Sequence, residues 1–309
     1  MPSIVTRVLT VPFEYSVIAN YPARSDWDAD AAELVRTMLE RWHLTAGEAF
    51  VGGEAAAVLR VTTRDGSAAV LKVGFPHFEA THEALALEVW ASTAFAPTVL
   101  RQDPWTWSLL LEEVVPGTSL SHADPHEALD AGARLLGRLH ATTPPPGIPT
   151  LAGIIERYVD NARAARAGYA GLLAELHGVD VPALLDQGMD AAAELASTID
   201  ESALLHGDFN PGNVLAGPDE TWMVIDPKPM IGDRCFDLFP FAEQLGDVRG
   251  APERLAAAAS IIDCDPARAA RWAFARCAFT VSWLLSDGER DAAKVAATEA
   301  QMWQELSAP

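Results

Sequence analysis

Apolar and polar positions alternate in different ways on the two sides of about residue 115. In "AFVGGEAAAVLRVTTRDGSAAVLKVGFP" two β-prone stretches flank the turn signal "RDG", which predicts a hairpin. "WSLLLEEVV" reads as a buried strand closed by "PGTSL". An initial strand and two helical patterns, "DWDADAAELVRTMLERWHL" and "HEALALEVWAS", complete this part. From Asp124 onward the helical period dominates. "PHEALDAGARLLGRLHATTPPPG" predicts an Ala/Leu-rich helix stopped by three prolines. Residues 151–200 read as mostly helical, most clearly in "LAELHGVDVPALLDQGMDAAAELAST", and residues 251–309 are helical again. Between them, "LLHGDFNPGNVLAG" and then "TWMVIDPKPM" break the period with a polar loop and a short hairpin. The order predicts an α+β chain: a mixed α/β part over residues 1–115 and a mainly helical part over 116–309.

Composition narrows the partners. Half the residues are hydrophobic, enough for a full core in one or two domains. Twenty-two basic against 43 acidic residues give a formal charge of −21. Such a surface repels phosphate backbones and excludes nucleic acid as a natural partner. It either serves solubility alone or attracts a cationic ligand. Cys235, Cys264 and Cys277 show no CxxC spacing, so reduced thiols and a cytoplasmic location are expected, without a thiolate metal site. No apolar run approaches the roughly 20 residues of a membrane helix, and "MPSIVTRVLTVPFEYSV" does not read as a signal peptide.

The chemistry concentrates in "HGDFNPGN", with His206, Asp208 and Asn213, and in the hairpin that delivers Asp226. Phosphoryl transfer from a nucleotide needs an acid facing the acceptor hydroxyl, oxygen ligands for magnesium and a lysine on the phosphates. A short loop lets Asp208 face a hydroxyl while Asn213, five residues on, faces a metal. The hairpin returns Asp226 to that metal. Pro211 and Gly212 stiffen and bend the loop between them. Asn and Asp oxygens suit the near-octahedral demand of magnesium.

These residues, "LLHGDFNPGNVL" followed by "VIDPKPMIGDRCFDL", resemble the aminoglycoside phosphotransferases, relatives of the protein kinases. The "IDPK…GD…FDL" form is most similar to the streptomycin 6-phosphotransferase and hydroxyurea phosphotransferase branch, and the resemblance runs from about Gly52 to Trp283. It implies a protein-kinase-like two-lobed fold, with a small β-rich N-terminal lobe and a larger helical C-terminal lobe. It implies ATP and magnesium as cofactors and a small-molecule hydroxyl acceptor, cationic acceptors included, acted on by a monomer or homodimer.

Residue by residue, Asp208 matches the catalytic aspartate, and Asn213 and Asp226 match the magnesium ligands. Lys72 in "AVLKV" matches the lysine on the phosphates. Glu83 matches its helix partner, with Glu79 and Glu88 as rivals. Leu111, Glu112 and Val114 match the inter-lobe segment that meets the adenine. Asp237 matches the aspartate bracing the catalytic loop, with His206 as a further structural support. Asp233 is a candidate for a cationic substrate or for a structural role.

The chain departs from the protein-kinase pattern in two places. GxGxxG is absent, and Gly52 and Gly53 stand either in a phosphate loop or in a plain hairpin strand. Lys228, after the metal aspartate, either touches phosphates or forms a salt bridge. His140 at a helix end is expected to favour that helix's C-terminal dipole. Trp283 and Asp287 are either core and surface residues or a stacking and charge pair for an amino sugar.

The leading expectation is a small-molecule kinase acting on an aminoglycoside or aminocyclitol such as streptomycin. The alternatives are a metabolic kinase of an amino sugar, a sugar or another hydroxyl compound, and an inactive nucleotide-binding protein.

Overall fold

The computed structural model describes residues 24–50, 56–173, 179–200 and 202–307. Gly52 and Gly53, and the expected initial strand, lie outside the described residues. The described chain divides into two compact units. One contains the residues up to Ser119 together with Asn213–Pro229; the other contains Leu120–Gly212 and the residues from Met230 onward.

The first unit is built on a five-stranded antiparallel sheet. Its strands are β1 (Thr45–Ala49), β2 (Ala56–Thr62), β3 (Ala68–Gly74), β4 (Val99–Asp103) and β5 (Ser108–Glu112), in the order β1-β2-β3-β5-β4. The expected hairpin is β2–β3, closed where Thr63 and Ser67 bond across the turn. Its register sets Lys72 opposite Val58 on one side and Leu109 of β5 on the other.

Period-2 alternation along β2 and β3 turns Leu59, Val61, Ala69, Leu71 and Val73 into the core. Helix α1 (Arg24–Trp42) covers that face with Leu34 and Met38, both fully buried. Each such side chain stabilises the fold by roughly 1.5–3 kcal/mol. Helix α2 (Glu83–Ala91) buries Ala86, Leu87 and Trp90 and leaves Glu88 exposed. The hairpin β7 (Val214–Ala216) and β8 (Trp222–Val224) also belongs to this unit. The Val224 amide donates to Phe95 O, and the Gly117 amide donates to Ala216 O.

The second unit is helical: α3 (Pro125–His140), α4 (Leu151–Leu173), α5 (Val181–Ser197), α6 (Leu238–Gln244), α7 (Ala251–Ile261), α8 (Pro266–Ser286) and α9 (Arg290–Leu306). Asp124, Asp180 and Asp265 cap α3, α5 and α8, each accepting backbone N–H bonds ahead of a proline in the first turn. Helix α8 is buried along most of its length, and Gly188 lets α5 approach it. A Cβ at Gly188 would stand 2.2 Å from that of Ala278. Two three-residue strands, β6 (Ala203–Leu205) and β9 (Met230–Gly232), pair antiparallel inside the unit. Among the described residues no helix is long and apolar enough to cross a membrane.

Half-buried Glu243 on α6 has its carboxyl pushed up to about 7, by burial first and by the charge of Glu299 on α9 second, with partial relief from Arg276. The ordinary value is 4.5, so between 4.5 and about 7 the folded state holds the extra proton. The stability from this group is complete below 4.5 and is lost as pH rises to about 7. Glu243→Gln is therefore expected to raise the thermal midpoint above pH 7 and to flatten its slope between those limits. Midpoints recorded across that range check it, and an unchanged slope would refute it.

Candidate active site

In the first unit, β3 places Lys72 at the centre of a carboxylate cluster. Its ammonium donates to Glu83 Oε1 at 2.6 Å and Oε2 at 2.7 Å, and to Asp226 Oδ1 at 2.6 Å. The Glu83 side chain is buried and that of Lys72 is 12% exposed, whereas that of Asp226 is 51% exposed. Burial alone would favour neutral Lys72, but Glu83 and Asp226 reverse it and hold the ammonium above its ordinary value. Glu83 is pushed up to about 7, by burial first, with Lys72 opposing and Asp226 reinforcing the shift. Of the three glutamates weighed from sequence, Glu83 is the one that meets Lys72.

Hairpin β7–β8 brings the two expected metal ligands to one end of its ladder. The Ile225 amide donates to Asn213 O at 3.0 Å, and Asp226 follows directly. Asp226 lies in the left-handed region at φ 57, a conformation that an aspartate tolerates better than most side chains. Among the described residues no three His, Cys, Asp or Glu side chains gather as a metal cage. One carboxylate and one amide oxygen instead suit magnesium, which keeps waters and binds protein through one or two carboxylates plus substrate phosphates.

His77, not singled out in the sequence, joins this cluster. It is buried, lies 2.7 Å through Nδ1 from Phe75 O, and is held below its ordinary value by burial, with Lys228 and Lys72 adding to the shift. Leu111 is buried in β5, Glu112 ends that strand with its amide on Thr98 O, and Val114 is half-buried beyond it.

In the second unit, the strand β6 runs into the polar loop. Gly207 takes φ 78, which a residue with a Cβ adopts only with strain. Asp237, fully buried, accepts the Gly207 amide at 2.7 Å on Oδ1, and on Oδ2 the His206 amide at 2.8 Å and the His140 Nε2 proton at 2.9 Å. Burial would raise this carboxyl, but the bond and charge of His140 and the pull of His206 hold it below its ordinary value. His140, the last residue of α3 as expected, is buried and joins the loop's support.

His206 is buried edge-on to Phe209, and its Nδ1 accepts the Asp208 amide at 3.3 Å. Asp208 is half-buried and accepts from Asn210 Nδ2 at 3.4 Å. Asn210 Oδ1 in turn accepts the Gly212 amide, so side chains fold the loop on itself ahead of Asn213.

The description "aminoglycoside/hydroxyurea antibiotic resistance kinase" belongs to the family model that matches residues 41–288, well over half of the chain. The chain belongs to this family. A streptomycin 6-kinase of Streptomyces glaucescens is 33% identical over 89% of this chain and 90% of its own. A hydroxyurea phosphotransferase of Kitasatospora aureofaciens is 34% identical over 82% and 73%. Among solved structures, a thermostable aminoglycoside phosphotransferase mutant, in ternary complex with AMP-PNP and hygromycin B, superposes with TM-score 0.63 at 17% identity, over 90% of this chain and 99% of that one. A choline kinase from Streptococcus pneumoniae gives TM-score 0.63 at 14% identity, over 89% and 98%. The fold is thus the protein-kinase-like α+β fold expected from the motifs.

The residues weighed for the acceptor of this kinase family separate. Asp233 is buried, and its oxygens accept from the Cys235 amide, from Trp272 Nε1 at 2.7 Å and from the Arg268 guanidinium. Those are the contacts of a structural carboxylate. Trp283 is 54% exposed on α8, and Asp287 follows one turn later at its C-cap, its amide on Trp283 O. Burial and Glu289 raise the Asp287 carboxyl.

Proposed function

We propose that this chain is an ATP- and magnesium-dependent phosphotransferase that moves the γ-phosphoryl group to a hydroxyl of a streptomycin-like aminoglycoside. The observation that carries the reading is the Lys72 ammonium shared by buried Glu83 and half-exposed Asp226. A half-buried lysine held charged by two carboxylates is a preorganised clamp for phosphate oxygens. Asn213 and Asp226 would hold magnesium, which when bound neutralises charge building on the phosphates.

Nucleotide binding is assigned to the β-rich unit, with Leu111, Glu112 and Val114 against the base. Acceptor binding is assigned to the helical unit. Asp208 accepts the proton of the attacking hydroxyl at its carboxylate, and Asp237 and His140 keep the loop that presents it in one conformation. The rest is positioning of two bound substrates. A net charge of −21 suits a cationic acceptor. With Lys72, Asp208, Asn213 and Asp226 all in place, the inactive-binder alternative has no support.

The test is ADP release with ATP and magnesium across streptomycin, other aminoglycosides, hydroxyurea, amino sugars and simple sugars. Turnover is expected on streptomycin. Turnover confined to a common sugar would replace the proposed acceptor with a metabolic one, and silence on every acceptor would sink the kinase reading.

A further inference from the structure

The fold joins two cysteines that the sequence leaves 29 positions apart. Cys235 lies in the short 3-10 turn Arg234–Asp237, and Cys264 lies between α7 and α8. Arg234 ties the two segments together, donating to Ile262 O at 3.2 Å and Asp263 O at 3.1 Å. Cys235 Sγ reaches Asp265 O at 3.8 Å, on the residue next to Cys264, and both cysteines face the same cavity.

Both line an open cavity with Thr198, Asp200, Arg234 and Arg268, so a small oxidant can reach them. Cys235 is buried and Cys264 half-exposed. Cys264 is the more exposed of the two, and its neighbour Cys235 lowers its thiol while Cys264 and burial raise that of Cys235, so Cys264 is the nucleophile of the pair. Cys277 is buried elsewhere, its thiol raised well above the ordinary value by burial.

We propose that Cys235 and Cys264 form a redox pair that a hydroperoxide closes to a disulfide, and that closure disturbs the Asp237 brace of the catalytic loop. The Cys264 thiolate attacks hydrogen peroxide, the O–O bond breaks, and a sulfenic acid and, after protonation, one water result. The Cys235 sulfur then attacks the Cys264 sulfur. The S–S bond forms, and the sulfenic oxygen leaves as a second water with the Cys235 proton. The two sulfurs lose two electrons and the peroxide gains them. A disulfide requires the sulfurs to approach to about 2.05 Å, closer than any two unbonded sulfurs stand. The Arg234–Asp237 turn must therefore shift, two residues from the carboxylate that holds His206 and Gly207.

The experiment treats the full chain with hydrogen peroxide, blocks remaining thiols with iodoacetamide, and maps unreduced peptides by mass spectrometry. A Cys235–Cys264 peptide two hydrogens lighter than its parts is expected, reversed by dithiothreitol and absent from Cys264→Ser. In Cys235→Ser, Cys264 is expected to stop at a dimedone-trappable sulfenic acid. Cys264 that stays alkylatable, or that passes to sulfinic acid without a cross-link, would overturn the pair.

The second readout, turnover, rests on the kinase reading above; the mass readout does not. Turnover is expected to fall as the cross-link appears and to return on reduction, while Cys264→Ser keeps its activity in peroxide. A cross-link with unchanged turnover would overturn the coupling to the loop.

Discussion

Asp208→Ala is expected to lower kcat by on the order of 10²–10⁴-fold while leaving nucleotide affinity in place. In the proposed role a carboxylate that takes the hydroxyl proton acts in the transition state, so its loss appears in kcat and in kcat/KM together. The proposed nucleotide clamp is made by other side chains, with Lys72 held by Glu83 and Asp226. The alanine variant also leaves the loop's frame intact, because that frame rests on the His206 and Gly207 amides and on the Asp208 amide, which every residue except proline supplies. Steady-state kinetics on the acceptor that responds in the panel, paired with thermal shifts by ATP and magnesium, separate the two effects. Asp226→Ala should show the opposite pattern, losing the magnesium-dependent nucleotide shift. An Asp208→Ala protein that keeps more than about a tenth of the wild-type turnover would remove the aspartate from its role as base.

The candidate catalytic loop stands out in the sequence because its pattern is local. Asp208, Asn213 and Asp226 lie within one loop and one hairpin, with turn residues between them. Lys72 was legible for a related reason: the "RDG" turn sets the register of β2 and β3, and alternation then decides which residues face the core. The choice among Glu79, Glu83 and Glu88 was not legible. All three fall in or beside one short helix, and only burial separates them, with Glu83 inside and Glu88 outside.

What pairs residues far apart in the chain left no local trace. His140 meets Asp237 across 97 positions, Asp233 meets Arg268 across 35, and the Cys235 thiol meets Asp265, beside Cys264. A histidine closing a helix pattern reads as a dipole cap because the partner that buries it comes from another segment. Strands β6 and β9 were missed as a pair for the same reason. Three residues carry too little alternation to announce a strand, and their ladder depends on where the hairpin returns the chain.

Asp237→Ala should be the most destabilising single change near the loop, by about 3–5 kcal/mol, because it removes one partner of a buried charged network. The carboxylate is fully buried, and its removal strands two backbone amides and the His140 Nε2 proton where water does not replace them. Asp237→Asn keeps the shape but turns an N–H₂ toward donors that need an acceptor, so it should recover only part of the loss. The pH dependence has a definite sign. The folded carboxyl titrates below its ordinary value of 3.8, so its stability is fully present above 3.8 and is lost as pH falls further. The wild type should therefore lose its advantage over Asp237→Ala in acid. Pairing the change with His140→Ala tests the network directly. Residues in one buried network give non-additive losses, and the double variant should lose clearly less stability than the sum of the single ones. Additive losses in denaturant titrations would mean that His140 and Asp237 act separately, and the loop would then owe its conformation to its own hydrogen bonds alone.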